Sequence, residues 1–239
     1  MKNLIKKTMR IVFSPFIFLD YLKFTKFKDK RFSIKFSDFH PQIKDKLSKT
    51  NFDTHYVYHT SWAARKVKEI NSSVHTDISS SLYFSGIVSA FIPVDFYDYR
   101  PADLKLSNLK SGHADLTKLH FKDNSIKSLS CMHTVEHIGL GRYGDPFDPN
   151  ADLQAINELE RVLAKDGSLL FVVPVGQPKI EFNAHRIYSY EQITGYFKDL
   201  TLKEFSLITD SGDFIENAKM DLVKEQKYGC GCFWFIKNN

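Results

Sequence analysis

The segment DLQAINELERVLAKDGSLLFVVPVG, residues 152–176, is the part of the chain that most constrains its fold. In its first half the apolar residues recur at helical spacing, with Asp152 as a typical N-cap and Gly167 as a typical C-terminal stop. The second half is an almost continuous apolar run, as in strands that are buried on both faces of a parallel sheet. A helix that leads directly into such a strand predicts an α/β fold.

The rest of residues 51–239 alternates between strand and helix patterns in the same way. This alternation predicts a Rossmann-like, doubly wound, mostly parallel sheet. Only 17 positions separate Asp98 from Asp115, too few for a full crossover helix and a strand, so we expect a turn around residues 100–106. The predicted helices cover residues 56–70 and 82–91, and the predicted strands cover residues 74–78, 94–98, 112–115, 126–133 and 228–238.

Charge is distributed unevenly and divides the chain into an arm and a body. Residues 1–50 carry 13 Lys and Arg against 4 Asp, a net charge of +9, whereas the other 189 residues carry 20 against 24, a net charge of −4. We therefore predict a basic N-terminal arm, residues 1–50, and a body that forms the folded domain, residues 51–239. The slightly acidic body lacks the basic face that nucleic-acid binding requires, so no nucleic-acid partner is expected.

The arm combines aromatic and basic residues around a short apolar run from Ile11 to Leu19. Pro15 interrupts this run and no small-residue cleavage site follows, which argues against a signal peptide, and the run is too short to span a bilayer. One interpretation places residues 1–30 on an anionic membrane surface; the alternative is a helix packed on the protein itself. The residues that carry the pattern are Phe13, Phe16, Phe18, Tyr21 and Phe24 among Lys6, Lys7, Arg10, Lys23, Lys26 and Lys28.

The chain has three cysteines, and two of them, Cys230 and Cys232, form a Cys-Gly-Cys sequence. Three cysteines do not make a disulfide framework, so the expected location is the cytoplasm, with a peripheral position at the inner face of the plasma membrane if the arm binds lipid. In the sequence these cysteines lack the partners of a zinc site, and no metal is predicted.

Carboxylates follow three successive predicted strands. Asp77, Asp98 and Asp115 each stand near the carboxyl end of a strand, the edge at which open α/β sheets bind ligands. A carboxylate at the end of the second strand can accept hydrogen bonds from both hydroxyls of a ribose. Each of these residues could instead cap a helix or a turn.

Two longer segments resemble a known family. HADLTKLHFKDNSIKSLSCMHTVEH, residues 113–137, and LQAINELERVLAKDGSLLFVVPV, residues 153–175, resemble the class I S-adenosylmethionine-dependent methyltransferases. The likeness covers residues 70–205, including HRIYSYEQI at residues 185–193. The whole chain is still more similar to a bacterial family of unknown function, with a methyltransferase-like fold, that is associated with surface-polysaccharide genes.

The resemblance implies a site for S-adenosylmethionine. Asp98 would bind the ribose hydroxyls, Asp115 and Leu116 would meet the adenine, and His133 would lie beside the cofactor. Asp77 matches the acidic residue that opens the first motif of the family.

The glycines that normally follow this acidic residue are replaced by SSSLYFSG, residues 79–86, in which only Gly86 remains. Either the hydroxyls of Ser79, Ser80 and Ser81 bind the methionine end of the cofactor, or the site has changed to another ligand or to none.

The sequence HTVEH, residues 133–137, has two interpretations. His137 or Glu136 could act as general base that removes a hydroxyl proton during methyl transfer. The same letters spell H-x-x-E-H, an inverted zinc-protease motif in which His133 and His137 would bind zinc on one helix. The glycines that follow argue against that helix.

The segment IGLGRYGDPFDPNA, residues 138–151, is extra relative to a compact methyltransferase pattern and follows the fourth strand, where loops shape substrate recognition. The predicted function is methyl transfer from S-adenosylmethionine to a hydroxyl of a sugar or lipid-linked saccharide in surface polysaccharide biosynthesis. The alternative is a non-catalytic methyltransferase-like binding module. The candidate substrate-binding residues, each of which could instead be structural, are Arg142, Tyr143, Asp145, His185 and Arg186.

Overall fold

The computed structural model describes residues 15–27, 31–42 and 45–238. The chain forms two compact units, Met1–Phe52 and Asp53–Asn239, and the division lies two residues beyond the boundary that the charge pattern predicts.

The first unit contains helix α1, Pro15–Phe24, and a 3-10 helix, Phe36–Asp38. Phe18 and Tyr21 of α1 pack against the rings of Phe36 and Phe39, with ring centroids 5.3–6.3 Å apart. Other apolar residues of α1 are exposed, among them Phe16 at 77% and Leu19 at 51%. No helix within the described ranges is long and apolar enough to cross a membrane. Phe13, Lys6, Lys7, Arg10 and Lys28 lie outside the described residues.

The second unit is built on an eight-stranded sheet with the order β3-β2-β1-β4-β5-β10-β8-β9. Strands β1 to β5 are parallel, and β10 is antiparallel to both β5 and β8. The mostly parallel, doubly wound sheet predicted from the sequence is confirmed. The strands are β1 His75–Ile78, β2 Val94–Asp98, β3 Leu109–His113, β4 Ile126–Met132, β5 Leu163–Val175, β8 Leu200–Ile208, β9 Phe214–Ile215 and β10 Gly229–Lys237, and β6 Lys179–Glu181 pairs with β7 His185–Ile187 in a separate hairpin.

Helices cover both faces of this sheet. On one face lie α2, Thr54–Ile70, and α3, Leu82–Val88, whose Trp62 and Phe84 pack in one core cluster. On the other face lie α4, Ala151–Val162, and α5, Tyr190–Tyr196, above a second cluster. The side chain of Asp53 caps α2 by accepting from Tyr56 N–H, which fixes the start of this helix.

The helix before β5 differs from its prediction at both ends. Asn150 is its N-cap, and Asp152 is a buried residue of the first turn that accepts a hydrogen bond from the Tyr188 hydroxyl. The helix ends at Val162 and not at Gly167, because Leu163 already pairs with Ile126 in the sheet.

The connection from β2 to β3 contains no helix, as predicted from its length. Strand β3 begins and ends earlier than expected, so Asp115 lies two residues beyond its end. Asp115 instead closes a turn by accepting from Thr117 N–H and the Thr117 hydroxyl.

Candidate active site

A cavity of about 440 Å³ opens at the carboxyl ends of β1, β2 and β4. The direction of strand order reverses between β1 and β4, and this is the place at which doubly wound sheets bind ligands. Among the residues that line the cavity are Ser79, Asp98, Tyr99, Arg100, Asp115, Leu116, His133, Thr134, His137, Tyr143 and Asp145.

The turn from β1 to α3 keeps a glycine-like backbone although it contains serines. Ser79 has φ 58°, in the left-handed region that glycine adopts most easily, and its N–H donates to Tyr97 O at 2.7 Å. The Thr134 hydroxyl donates to Ser79 O at 2.9 Å, which ties the turn to the end of β4. A backbone held in a sparsely populated conformation by two partners is typical of a ligand-binding turn.

The serines of this turn have different positions. Ser79 lines the cavity. Ser80 is buried, and its hydroxyl accepts from Met132 N–H at 3.0 Å. Ser81 is the N-cap of α3, and neither it nor Gly86 is among the lining residues, because both lie on the helix side of the turn.

Asp98 and Asp115 both line the cavity, as expected for carboxylates near strand ends. Asp98 is half-buried, and its Oδ1 accepts from Arg100 N–H at 2.7 Å. This bond holds the carboxylate at the end of β2 and leaves it further lone pairs for a ligand. Leu116 is buried and forms part of the cavity wall next to Asp115.

Asp77 does not line the cavity. It is fully buried between β1 and β4, and its two oxygens accept hydrogen bonds from the Ser85 and Ser130 hydroxyls. Burial raises its pKa to about 6, against the opposing effect of the serine hydrogen bonds. The structure therefore places this carboxylate in a core network behind the turn.

The loop over residues 138–151 brings Tyr143 over the cavity. The Arg100 guanidinium lies 4.9 Å from the centroid of the Tyr143 ring, and that of Arg142 lies 5.1 Å from it. Arg100 follows β2 and Tyr143 belongs to the loop after β4, and both line the cavity, so their contact links these two segments at its edge. The sequence analysis did not identify Tyr99 and Arg100 as site residues. The only signal that could have indicated them is their position directly after Asp98.

Asp145 organises this loop. Its Oδ2 accepts from Gly139 N–H at 2.7 Å, and its Oδ1 accepts from Tyr143 N–H at 3.2 Å. Burial opposes ionisation, but these backbone hydrogen bonds outweigh it and lower the pKa of Asp145. The carboxylate is therefore engaged by the loop itself, although it also lines the cavity.

His137 lies between this cavity and a second one, and lines both. Its Nδ1 is 2.6 Å from Ala184 O and 3.2 Å from Arg142 Nη1. The tautomer with its proton on Nδ1 donates to Ala184 O and leaves the lone pair on Nε2. Burial lowers the pKa of His137, which favours the neutral ring. A neutral imidazole that lines a cavity can accept a proton from a substrate that reaches its free nitrogen.

Glu136 is buried between two histidines. Its Oε1 accepts from His133 Nδ1–H at 2.9 Å and lies 3.8 Å from His137 Nε2. Its Oε2 has no hydrogen-bond partner among the described residues, and burial raises the pKa of Glu136 to about 7. Burial also lowers the pKa of His133 to about 4, so this imidazole is neutral near pH 7.

The H-x-x-E-H spacing does not form the site of an inverted zinc protease. His133 has φ 55° at the end of β4, and Val135–His137 is a single 3-10 turn, not an α-helix. His137 uses Nδ1 to bond Ala184 O, whereas His133 uses Nδ1 to bond Glu136, so the two rings have different roles.

The second cavity is lined by His185 and Arg142, two of the predicted substrate-binding residues. It is also lined by His55, Tyr56 and Tyr228, which the sequence analysis did not identify as site residues. Arg186 lines neither cavity. It is buried, donates to Ile138 O at 2.6 Å and has its Nε 3.5 Å from Asp152 Oδ2, so it anchors the base of the loop.

Several solved structures share this fold, and some of them are named as methyltransferases. The YcgJ protein from Bacillus subtilis has a TM-score of 0.53 at 12% identity, covering 77% of this chain and 99% of that chain. The N-methyltransferase NodS from Bradyrhizobium japonicum, crystallised with S-adenosyl-L-homocysteine, has a TM-score of 0.53 at 12% identity, covering 78% and 88%. The chain has the class I methyltransferase fold.

The (4+2)-cyclase SpnF shares this fold too, with a TM-score of 0.50 at 11% identity over 75% of this chain and 79% of that chain. A family model described as "Caenorhabditis protein of unknown function, DUF268" matches residues 105–221. No curated protein sequence matches the chain significantly. Since one fold hosts more than one chemistry, the function has to be argued from the site.

Proposed function

We propose that the protein is an S-adenosylmethionine-dependent methyltransferase. The observation that carries the proposal is the half-buried Asp98 carboxylate, which ends β2 at the cavity where the strand order reverses. Similar solved structures, one of them with S-adenosyl-L-homocysteine bound, support this reading of the cavity.

The residues around the cavity fit such a cofactor. The turn at Ser79 has a left-handed backbone of the kind found in ligand-binding loops. Asp98 and Asp115 both line the cavity, where Asp98 would accept hydrogen bonds from the ribose hydroxyls and Asp115 would meet the adenine. Ser79 and Thr134 are hydroxyl residues at the same wall, where the methionine end would lie. When bound, S-adenosylmethionine supplies an electrophilic methyl group on its sulfonium.

The chain supplies the proton acceptor in this proposal. His137 Nδ1 is held by Ala184 O, so its Nε2 lone pair can take the proton of an acceptor hydroxyl. Tyr143 and Arg100 line the cavity, and the cation–π contact between them would help to hold the loop at the site.

For the acceptor we propose a hydroxyl of a sugar or lipid-linked saccharide. The support is the resemblance of the sequence to proteins of surface-polysaccharide gene clusters, together with the polar side chains that line both cavities. Transfer of a labelled methyl group to nucleotide sugars and to lipid-linked sugars, with phosphoethanolamine as an amine acceptor for comparison, tests this class.

Calorimetry with S-adenosylhomocysteine tests the cofactor. Asp98→Asn should weaken binding by about 1.5–3 kcal/mol, because it removes hydrogen bonds to an ionised group. Asp95→Asn on the same strand is the matched control, since Asp95 does not line this cavity, and its affinity should equal that of the wild type. Wild-type protein that does not bind S-adenosylhomocysteine would refute the proposal and favour a module with another ligand or another chemistry, as in the cyclase of the same fold.

We also propose that residues 1–30 bring the protein to an anionic membrane surface at the inner face of the plasma membrane. Exposed Phe16, Leu19 and Phe24 beside Lys23 and Lys26 support this. Full-length protein should sediment with anionic vesicles but not with neutral ones, and added salt should reduce the bound fraction by screening the lysines. Binding that salt does not change, or a deletion of residues 1–30 that unfolds the protein, would favour the packed-helix alternative.

A further inference from the structure

Behind the wall shared by the two cavities, three potential metal ligands meet from distant parts of the chain. His55 comes from the first turn of α2, His133 from the end of β4 and Cys230 from the start of β10. One nitrogen of each histidine and the Cys230 sulfur all lie within 4.8 Å of one another. We propose that His55, His133 and Cys230 form a binding site for a zinc ion.

The distances between the ligand atoms are close to those in a zinc-bound site. His133 Nε2 lies 3.4 Å from Cys230 Sγ. Ligand atoms that share a tetrahedral zinc ion at about 2.0–2.3 Å from the metal are roughly 3.3–3.6 Å apart, so this pair is already correctly spaced. The His55 ring is half-buried and stacks near that of His133, with centroids 5.9 Å apart, and must move by roughly 1 Å to complete the set.

The second nitrogen of His133 provides independent support. Its Nδ1–H donates to Glu136 Oε1 at 2.9 Å, which directs the Nε2 lone pair toward Cys230. Metal-binding histidines commonly donate their other N–H to a carboxylate in this way, because the carboxylate fixes the tautomer and raises the basicity of the ring.

Glu136 is compatible with a cation at this place. Its side chain is 1% exposed, and its Oε2 has no hydrogen-bond partner among the residues described. A buried carboxyl group avoids the cost of an uncompensated charge either by binding a proton or by facing a positive group. A zinc ion on His133 would supply positive charge through the imidazole.

The donor set selects the class of metal. A thiolate with two imidazoles suits zinc and not magnesium or calcium, which prefer oxygen ligands. The ligands bind zinc as two neutral imidazoles and one thiolate, so zinc displaces the proton of the Cys230 thiol, which passes to solvent. Three protein ligands leave the fourth tetrahedral position to water or to a molecule in the second cavity.

Cobalt and zinc titrations of the metal-stripped, reduced full chain test the site. Cobalt should produce a sulfur-to-cobalt charge-transfer band and the visible bands of tetrahedral cobalt at one equivalent, and zinc should abolish both. Calorimetry in buffers of different ionisation enthalpy should show about one proton released per zinc ion, from the Cys230 thiol.

Variants assign the ligands. Cys230→Ser should remove the charge-transfer band, and His55→Gln should weaken zinc binding by more than 100-fold. Glu136→Gln should weaken it by about 10- to 100-fold, as for a residue that orients a ligand. Cys131→Ser is the matched control, because Cys131 is also buried but lies on β4 outside the cluster, and it should bind zinc like the wild type.

Two results would refute the proposed zinc site. The first is that the wild-type protein shows no charge-transfer band at several equivalents of cobalt. The second is that neither Cys230→Ser nor His55→Gln changes the affinity for zinc. If Cys230→Ser fails to fold, His55→Gln decides, since His55 is half-buried in a first helical turn. None of these measurements uses S-adenosylmethionine, so their failure is distinct from failure of the proposed methyl transfer.

Discussion

Asp77 and Ser130 face each other on adjacent strands, and the Ser130 hydroxyl donates to Asp77 Oδ1 at 2.5 Å. The same hydroxyl lies 2.9 Å from His75 Nε2, while the Ser128 hydroxyl lies 2.7 Å from His75 Nδ1. His75, Asp77, Ser128 and Ser130 are all buried. A continuous polar network thus crosses the sheet directly beneath the turn that carries Ser79.

Replacing the central hydroxyl tests this network. Ser130→Ala should lower the free energy of unfolding by about 1–3 kcal/mol, because it removes a partner from both Asp77 and His75 in a buried place. Urea denaturation measures the change. Ser125→Ala, at an exposed hydroxyl just before β4, is the control and should stay within about 0.5 kcal/mol of the wild type. Equal effects of the two substitutions would show that the network does not stabilise the fold.

The same network predicts opposite pH dependences for two residues of one strand. Burial lowers the pKa of His75 to about 3, so the unfolded chain binds more protons below pH 6.5 and stability falls on acidification. Burial raises the pKa of Asp77 to about 6, so the folded protein binds the extra proton between about pH 6 and 4 and stability rises on acidification.

The free energy of unfolding that the protein loses between pH 7 and pH 5 should therefore become smaller in one variant and larger in the other. His75→Gln should reduce that loss by about 2 kcal/mol, and Asp77→Asn should increase it by about 1 kcal/mol. Comparing each variant with itself at the two pH values removes the direct cost of the substitution. A His75→Gln variant with the pH dependence of the wild type would mean that His75 titrates normally in the folded protein.

The sequence predicted those parts of the fold that depend on residues close together in the chain, but not those that depend on residues far apart in it. The amphipathic pattern of α4 and the apolar run of β5 are local, so both were predicted, whereas the end of α4 was not. Leu163 leaves the helix because Ile126, 37 residues earlier in the chain, pairs with it in the sheet. Sequence periodicity contains no information about that pairing.

The same distinction holds for the site. Asp98 and Asp115 were indicated by their places near strand ends, and both line the cavity. Cys230 and His133 are 97 residues apart, and their contact depends on β10 lying beside β5 in the sheet. No spacing in the sequence indicates this neighbour of Cys230, so the cluster proposed to bind zinc could not be predicted.

The contact between Arg100 and Tyr143 gives a test of the loop. Tyr143→Ala should weaken binding of S-adenosylhomocysteine by about 3- to 30-fold, the range expected when a cation–π contact of about 0.5–2 kcal/mol is lost from a cavity wall. Tyr143→Phe keeps the ring that both arginines contact and should bind within about twofold of the wild type. Calorimetry on both variants distinguishes ring stacking from a role of the hydroxyl, which would be indicated if the two variants were equally weakened.

His137 provides the prediction closest to the proposed chemistry. If Nε2 accepts the proton of the acceptor hydroxyl, His137→Ala should lower kcat by about 10²–10⁴-fold, because the substrate then loses its base. Affinity for S-adenosylhomocysteine should hardly change, since the role of the imidazole is confined to the reaction step. His120→Ala is a suitable control, because His120 lines neither cavity. Single-turnover methyl transfer, measured beside calorimetry on the same preparations, separates the two effects.

A His137→Ala variant that keeps full turnover would assign proton removal to another group. A variant that loses turnover and cofactor affinity in parallel would show that His137 supports the cavity wall.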